Sequence, residues 1–286
     1  GLDRFGGDWY HTGRWPHDGV DFTGRRVGII GTGSTGIQAT PVIAADAAHL
    51  TVFQRTPNYS VPARNAPLAA EQVAELKANH REIRQKARQS FGGFPYEMTD
   101  RSALACTDEE RDTIYEELWD YGGFKFLFGS FMDILINPEA NETAAEFIRR
   151  KIREAVRDPE TAELLCPHDY PYGAKRPPID TDYFQTFNRD NVRLVDLRVD
   201  PISEITETGI RTQAEHHPLD AIVFATGFDA ITGALLAIDI RGRGGRSLRD
   251  HWTDGPRTYL GLQTAGFPNL FTITGPQSPS VLSNMP

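Results

Sequence analysis

The feature that most constrains this chain is a short apolar run that ends at three closely spaced glycines. Residues 25–30 have the composition of a buried β-strand, and Gly31, Gly33 and Gly36 follow with the spacing G-x-G-x-x-G. A tight turn favours glycine at the first position, close approach to a pyrophosphate favours it at the second, and packing of the next helix favours it at the third. The N–H groups and positive dipole end of that helix form an anion site. The segment predicts a dinucleotide-binding turn, with an ordinary glycine-rich turn as the alternative.

The residues that follow the glycines fit a βαβ unit. Residues 37–48 are compatible with a helix, and residues 50–55 predict a second strand at the distance that such a unit needs. We therefore expect the glycine turn and the start of the helix to contact the cofactor. The predicted contacts are Gly31, Thr32, Gly33, Ser34, Thr35, Gly36 and Gln38.

The residue at the end of the second predicted strand indicates which dinucleotide is bound. An NAD site places Asp or Glu there to accept a hydrogen bond from the ribose 2′-hydroxyl, but this chain has Arg55, followed by Thr56. A guanidinium cannot accept a hydrogen bond, and it can pair with a 2′-phosphate through two parallel bonds. This segment therefore favours NADPH over NADH, the alternative being an arginine that only ends a strand at the surface.

Length, charge and cysteine usage limit the class of protein. With 286 residues the chain can form one or two domains. No apolar run approaches the length of a membrane helix, so we expect no membrane partner. The net charge of −9 argues against nucleic acid as a partner. Cys106 and Cys166 lie outside any C-x-x-C pair, which favours a reducing, cytoplasmic compartment without a disulfide or a metal site.

Helix signals predict a helical insertion at about 68–160. Residues 69–90 have a helical composition. The S/T-x-x-E pattern that starts at Thr107 predicts a helix that ends at Gly122. The insertion separates the βαβ unit from the strands that follow it.

Three further patterns in the insertion bear on its packing. Asn141 is the expected cap of a helix that ends near Arg157. The charged residues of that helix, within 146–154, predict a solvated face without a function. The aromatic run 121–128 favours core packing over lining a substrate entrance.

The second half of the chain predicts short strands. Residues 191–196 and 220–229 each predict a strand, the latter buried and parallel, and residues 202–213 predict an antiparallel hairpin. The pair His216–His217 favours a solvated turn over a metal site, because no second ligand cluster accompanies it. Residues 267–276 predict another strand that ends at a glycine.

An aromatic, glycine-rich segment precedes the first strand. On its residues alone it is a loop interrupted by glycine and proline, in which His11 has a structural role. The segment resembles the pattern F-x-G-x-x-x-H-x-x-x-W-P that Baeyer–Villiger monooxygenases carry directly before their NADPH-binding glycines. The resemblance covers essentially the whole chain and is strongest to the phenylacetone and steroid type of that family. The matching residues are Phe5, Gly7, His11, Trp15 and Pro16.

Two adjacent cations, Lys175 and Arg176, are followed by two prolines. From the residues alone they are a surface pair that the prolines make more rigid than usual. The K-R-P-P sequence resembles a family loop in which the lysine contacts the NADPH 2′-phosphate and the arginine lies over the flavin. The resemblance implies cofactor binding for Lys175 and a catalytic role for Arg176, since a permanent positive charge stabilises negative charge that develops during the reaction.

The C-terminal part resembles the segment by which family members return to their FAD-binding domain. The resemblance implies a hinge beside the cofactor at Thr226 and Gly227, and a loop that borders substrate and flavin at Ser280, Val281 and Leu282. The predicted fold is α/β, with a Rossmann-like NADP-binding domain built on a parallel sheet, a small antiparallel hairpin, a helical insertion and an incomplete FAD-binding domain. The predicted boundaries are 1–24 for a linker, 25–226 for the NADPH-binding domain and 227–286 for the return segment.

The resemblance implies an enzyme, a flavin-dependent monooxygenase that uses NADPH, FAD and O2 to insert one oxygen atom beside a ketone carbonyl, giving an ester or lactone. The family has two G-x-G-x-x-G motifs, whereas this chain has one and begins without Met. We therefore expect a piece of a longer protein that by itself holds NADPH weakly and does not retain FAD. Two alternatives stay open: an enzyme that oxygenates nitrogen or sulfur, whose family usually lacks the pair Trp15–Pro16, and a non-catalytic NADP-binding module.

Overall fold

The computed structural model describes residues 1–90, 93–97 and 99–278. The strands are β1 (Asp8–His11), β2 (Arg26–Ile30), β3 (His49–Gln54), β4 (Val61–Pro62), β5 (Ile179–Asp180), β6 (Val192–Asp196), β7 (Ile202–Thr206), β8 (Gly209–Thr212), β9 (His216–Pro218) and β10 (Ala221–Phe224). The α-helices are α1 (Ser34–Asp46), α2 (Ala70–Ala78), α3 (His80–Gln89), α4 (Asp108–Tyr121), α5 (Lys125–Phe128), α6 (Pro138–Ala155), α7 (Pro159–Leu165), α8 (Tyr183–Thr186), α9 (Gly233–Leu236) and α10 (Leu248–His251).

The chain forms two compact units. The first comprises Gly1–Ala78 and Tyr96–Gly227 and contains all of these strands. The second comprises Asn79–Pro95 and the chain after Gly227. Within the described ranges, none of the helices combines the length and the apolar character needed to cross a membrane.

A five-stranded parallel sheet is the centre of the first unit, with the strand order β1-β10-β2-β3-β6. Strands that helices or other layers cover on both faces are apolar almost throughout. Helix α1 connects β2 to β3, as the βαβ prediction requires. The prediction of an α/β fold built on a parallel sheet is confirmed. Fully buried strand residues include Val27, Ile29, Leu50, Val52 and Ile222.

The edge strand β1 lies in a segment that we predicted to be a loop, and that prediction was wrong. Residues Asp8–His11 pair in parallel with β10. Gly7, just before the strand, has no room for a side chain, because a Cβ would lie 2.4 Å from the carbonyl oxygen of Asp220. A short edge strand with one paired neighbour has too little alternation of polar and apolar residues to be recognised from sequence.

A three-stranded antiparallel sheet, β7-β8-β9, follows β6. The predicted hairpin is confirmed as β7 and β8. The prediction of a solvated turn was wrong for His217, which lies in β9, is 4% exposed and packs edge-on against Phe53 with ring centroids 5.2 Å apart. Burial lowers the pKa of His217, so the imidazole is a neutral side chain of the core.

Helix α4 has the predicted boundaries. The Thr107 hydroxyl accepts from the Glu110 N–H at 3.2 Å, and the Glu110 carboxylate accepts from the Thr107 N–H at 3.0 Å. The helix ends before Gly122, whose φ is 82°. By contrast, the helix predicted for 69–90 is two helices, α2 and α3, because the chain leaves helical geometry at Asn79.

Helix α6 begins earlier than predicted. Its cap is Asn137, whose Oδ1 accepts from the Glu139 N–H at 2.9 Å. The predicted cap, Asn141, lies inside the helix and is buried, where its Nδ2 donates to the carbonyls of Ile134 and Tyr172 at 2.7 Å each. Both asparagines suit a cap, but Pro138 at the first helical position is the sequence signal that marks Asn137 as the cap.

Aromatic rings from α4, α5 and α6 pack together. Phe126 and Phe128 are buried, as predicted for core packing of the aromatic run, whereas Tyr121 is exposed. Phe126 stacks on Phe147 with ring centroids 5.5 Å apart and lies 5.4 Å from the ring of Tyr115. The cluster continues into the rest of the first unit, because Phe126 also lies 5.7 Å from the ring of Tyr172.

The charged face of α6 is not solvated throughout, which corrects our interpretation of it. Arg149 is 4% exposed. Its guanidinium donates to the hydroxyl of Tyr59 and to the carbonyl of Pro167 at 3.1 Å each, and it forms ion pairs with Glu142 and Glu146. Arg149 therefore connects α6 to segments far away in the chain, which the local charge pattern does not reveal.

The second unit has a small core in which Leu248, Trp252 and Phe267 are buried together. The strand predicted within 267–276 is absent from this range, where the structure has only an isolated β-bridge between Phe271 and Gln263. Phe271 is 69% exposed. An apolar, β-branched run becomes a strand only where a neighbouring strand pairs with it, so the prediction failed for lack of a partner.

We expect Arg149→Met to lower the free energy of unfolding by about 2 kcal/mol, because a buried hydroxyl and a buried carbonyl lose their shared donor. Urea denaturation measures the change. The matched control is Arg150→Met on the same helix, since Arg150 is 40% exposed; its expected effect is below about 0.5 kcal/mol. Equal losses in the two variants would show that burial of Arg149 is not what stabilises this region.

Candidate nucleotide-binding site

The three glycines between β2 and α1 have different surroundings. Gly31 has a φ of 107°, and a Cβ there would lie 2.5 Å from the carbonyl oxygen of Ala225. A Cβ on Gly36 would lie 2.1 Å from the carbonyl oxygen of Gly31. At Gly33 the Cβ position meets no other atom of the described chain within 4 Å. Packing of the protein itself therefore requires Gly31 and Gly36, whereas the space beside Gly33 is open to a ligand.

The glycine turn borders a crevice of about 430 Å³ at the carboxyl ends of β2, β3, β6 and β10. This edge of an open parallel sheet is where ligands bind in α/β folds. The helix α1 starts at the same edge, with its first N–H groups unpaired within the helix. The crevice is lined by Ile30, Gly31, Thr32, Gly33, Phe53, Arg55, Thr56, Asn58, Lys175, Leu197, Ala225, Thr226 and Gly227.

The crevice brings together most of the residues that we predicted to bind the cofactor. Ser34 and Thr35 are exposed at the start of α1, and Gly36 is buried beneath the turn. Thr32 is held within the site, since its hydroxyl donates to the carbonyl of Thr56 at 2.8 Å. The predicted residues that line the crevice are Gly31, Thr32, Gly33, Arg55, Thr56, Lys175, Thr226 and Gly227.

Two cations and no carboxylate line the crevice, according to the described residues around it. Arg55 is exposed, and its guanidinium forms no hydrogen bond or ion pair with the part of the chain that is described. Lys175 Nζ lies over the ring of Tyr170, 4.0 Å from the ring centroid. In a protein with a net charge of −9, this is a local positive region that attracts phosphate.

The loop that carries Lys175 is fixed where it becomes β5. Strand β5 pairs with β4, and the Asp180 carboxyl accepts from the Ser60 hydroxyl. Burial raises the pKa of Asp180. The Gln38 Nε2 donates to the carbonyl of Ile179 at 3.1 Å, so the Gln38 side chain ties α1 to this loop and does not line the crevice.

Arg176 lies outside the lining of the crevice. Its side chain is exposed, and the guanidinium carbon lies over the ring of Phe124, 4.9 Å from the ring centroid. A guanidinium that stacks on a ring face keeps its N–H groups at the edge, where they can bind an anion. The structure therefore separates the two neighbouring cations, Lys175 towards the crevice and Arg176 away from it.

The segment before β2 combines structural residues with an accessible face. Phe5 is buried in the core of the first unit. His11 ends β1, and its Nδ1 accepts from the N–H of Gly13 at 3.1 Å. Trp15 is 37% exposed and lies against Tyr10, with ring centroids 5.6 Å apart. A second cavity, of about 530 Å³, is lined by Trp9, Tyr10, His11, Arg14 and Pro16.

Asn58 and Leu197 line the crevice but were not predicted from the sequence. Leu197 comes directly after β6, and Asn58 lies three residues beyond Arg55. Because the carboxyl ends of parallel strands meet at one edge, a search just after each predicted strand would have found both. The predicted substrate-bordering residues Ser280, Val281 and Leu282 lie outside the described residues.

The crevice fits a dinucleotide with a phosphorylated ribose. Gly33 leaves room for close approach of a pyrophosphate, and Arg55 and Lys175 offer two cations to a further phosphate. The sequence has one G-x-G-x-x-G motif, so these residues offer no second turn of that kind for FAD. Among the described side chains, no group of His, Cys, Asp and Glu is arranged to hold a metal ion.

The variants Gly33→Ala and Gly36→Ala separate ligand binding from folding. Gly33 has a φ of −78°, which alanine adopts, so we expect Gly33→Ala to shift the melting temperature by less than about 2 °C. The added methyl group occupies the open space, and we expect the affinity for NADPH to fall at least about tenfold. Gly36→Ala should lower the melting temperature directly. Unchanged NADPH affinity of Gly33→Ala in calorimetry would contradict this assignment.

Known proteins share both the sequence and the fold of this chain. A Baeyer–Villiger monooxygenase of Pseudooceanicola batsensis is 46% identical over 288 residues, covering 100% of this chain and 52% of the relative. Phenazine N-monooxygenase PhzNO1 of Lysobacter antibioticus is also 46% identical, with coverage of 100% and 52%. A solved structure of oxidized steroid monooxygenase bound to NADP matches with a TM-score of 0.93 and 57% identity, covering 100% of this chain and 54% of that one.

No protein-family model matches the chain. The chain spans about half the length of the curated relatives that it matches. Identity at this level over the whole chain, together with the superposition on the steroid monooxygenase, confirms the resemblance carried by the two sequence motifs. Over its whole length the chain is homologous to Baeyer–Villiger monooxygenases.

Proposed function

We propose that the protein is an NADPH- and FAD-dependent Baeyer–Villiger monooxygenase and that this chain supplies its NADPH site. The enzyme inserts one oxygen atom of O2 next to a ketone carbonyl and releases an ester or lactone. The observation that carries the proposal is that Gly33, Arg55 and Lys175 line the same crevice. The space beside Gly33 is open, and no carboxylate is among the described residues that line this crevice. The related steroid monooxygenase, whose structure is described as bound to NADP, supports the same cofactor here.

The residues of the crevice bind the parts of NADPH in distinct ways. The backbone at Gly33 and the start of α1 hold the pyrophosphate, because their N–H groups and the helix dipole favour an anion. Arg55 pairs with the 2′-phosphate through two parallel hydrogen bonds, and Lys175 adds a second charge. Thr226 and Gly227, at the carboxyl end of β10, complete the wall of the crevice. When bound, NADPH supplies the hydride that reduces the flavin.

Arg176 is the proposed catalytic residue. A guanidinium stays charged at any working pH, so it stabilises negative charge that develops on the reacting atoms. Its place on the ring of Phe124, outside the NADPH crevice, supports a role separate from that of Lys175. We propose that FAD is held by polypeptide beyond these residues, because the chain has one dinucleotide motif and covers about half of its relatives.

The domain boundaries follow the same proposal. Residues 1–24, which we predicted to be a linker, add the edge strand β1 to the sheet, so we propose an NADPH-binding domain of residues 1–226 that carries the helical insertion at about 68–160. Residues 227–286 return to the FAD-binding domain. The change from one compact unit to the other directly after Gly227 supports that boundary. We also propose a cytoplasmic location, supported by two buried free thiols at Cys106 and Cys166.

Oxygenation of nitrogen is the second candidate, because a phenazine N-monooxygenase is as similar to this chain as a Baeyer–Villiger monooxygenase is. The pair Trp15–Pro16 favours ketone oxidation. Assays of the full-length protein with a cyclic ketone, a phenazine and a thioether separate the candidates, because only ketone oxidation yields a lactone. Product from the phenazine alone would select the second candidate, and NADPH binding without any product would select a non-catalytic module.

Arg176→Ala and Lys175→Ala test the division of roles in the full-length enzyme. We expect Arg176→Ala to lower kcat for lactone formation on the order of a hundredfold while the Kd for NADPH changes less than about threefold. Lys175→Ala should raise the Kd for NADPH on the order of tenfold, with a smaller effect on kcat. Lactone analysis and calorimetry measure the two quantities. Full lactone formation by Arg176→Ala would contradict its catalytic role.

A further inference from the structure

Lys175 does not extend freely into the crevice. Its ammonium lies over the Tyr170 ring, 4.0 Å from the ring centroid. A lysine side chain has many rotamers, and a cation over an aromatic face is held there by the charge distribution of the ring. The ring therefore restricts where the Lys175 charge can be.

Tyr170 is itself held by residues 57–59, of which Asn58 lines the crevice. Its hydroxyl lies 2.8 Å from Asn58 Oδ1 and 3.0 Å from the carbonyl oxygen of Pro57, both of which accept hydrogen bonds. Its ring packs edge-on against Tyr59, with centroids 5.4 Å apart. Burial raises the pKa of Tyr170 to about 12, so the hydroxyl keeps the proton that it donates.

The contacts of Tyr170 lead back to the glycine turn. Asn58 Nδ2 lies 3.4 Å from the carbonyl oxygen of Thr32, and the Thr32 hydroxyl donates to the carbonyl of Thr56 at 2.8 Å. Arg55 precedes Thr56 directly. One set of contacts thus connects the turn, the segment that carries Arg55, and the side chain of Lys175.

We propose that Tyr170, held by Asn58, is a positioning and specificity-determining residue that keeps the Lys175 ammonium beside Arg55 for the ribose 2′-phosphate. The proposal rests on the proposed NADPH site and adds the residue that sets its preference over NADH. Tyr170 acts through Lys175. Loss of the Tyr170 ring therefore weakens binding of a nucleotide that carries the 2′-phosphate, because that phosphate uses the positioned Lys175 charge. Binding of a nucleotide without the 2′-phosphate does not change.

The test compares the affinities of NADP+ and NAD+ for the full-length protein by calorimetry at one salt concentration. Tyr170→Leu is expected to lower the preference for NADP+ by about three- to tenfold, while the Kd for NAD+ changes less than about twofold. Tyr121→Leu is the matched control, because Lys125 Nζ lies 3.9 Å from the ring centroid of Tyr121, away from the crevice. This control should leave the preference unchanged.

Arg55→Ala and Lys175→Ala distinguish failure of this inference from failure of the proposed function. If neither lowers the NADP+ preference, the NADPH site itself is misassigned and the inference falls with it. If both lower it and Tyr170→Leu does not, the inference alone is overturned, and equal losses for NADP+ and NAD+ overturn it as well. Should Tyr170→Leu fail to fold, the ratio of the two affinities is measured for Tyr170→Phe, which keeps the ring but removes the hydroxyl that donates to Asn58 and Pro57. An unchanged preference for NADP+ in Tyr170→Phe would overturn the inference.

Discussion

The close backbone contact between Gly31 and Gly36 is the constraint on which the site depends. Because a Cβ on Gly36 would lie 2.1 Å from the Gly31 carbonyl oxygen, the end of β2 and the first turn of α1 can approach only if residue 36 is glycine. Gly31 is required separately, by its φ of 107° and by the Ala225 carbonyl oxygen beside it. The contact between Gly31 and Gly36 fixes the direction in which α1 leaves the sheet. Gly33 then lies at the open edge, where α1 begins with N–H groups that have no partner within the helix. The crevice exists because these two elements meet there.

In the proposed NADPH site, two positive charges favour the phosphorylated ribose. The chain carries a net charge of −9, yet Arg55 and Lys175 face the site without a carboxylate beside them. The two cations come from different parts of the chain, one after β3 and the other on the loop before β5. The loop is fixed by Asp180 and by the Gln38 side chain, so the fold of the first unit keeps both charges at one place. An acidic protein can thus bind a phosphorylated ribose without attracting anions over its whole surface.

Local signals in the sequence predicted the features that local structure determines. The strand, glycine turn and helix around Gly31, the capping box at Thr107 and the β7–β8 hairpin depend on neighbouring residues, and the structure has all three. The errors concern residues whose surroundings come from elsewhere in the chain. Burial of His217 depends on Phe53, and burial of Arg149 depends on Tyr59 and Pro167. At the site, the sequence motifs identified Arg55 and Lys175, whereas the contact between Tyr170 and Asn58 can be seen only in the folded chain.

A crystal structure of the full-length protein with NADP+ tests the central claim most directly. The account predicts the pyrophosphate against the backbone of Gly33. It also predicts the oxygens of the 2′-phosphate within about 3.5 Å of both the Arg55 guanidinium and Lys175 Nζ. A 2′-phosphate that contacts neither cation, or a nucleotide bound away from the glycine turn, would contradict it.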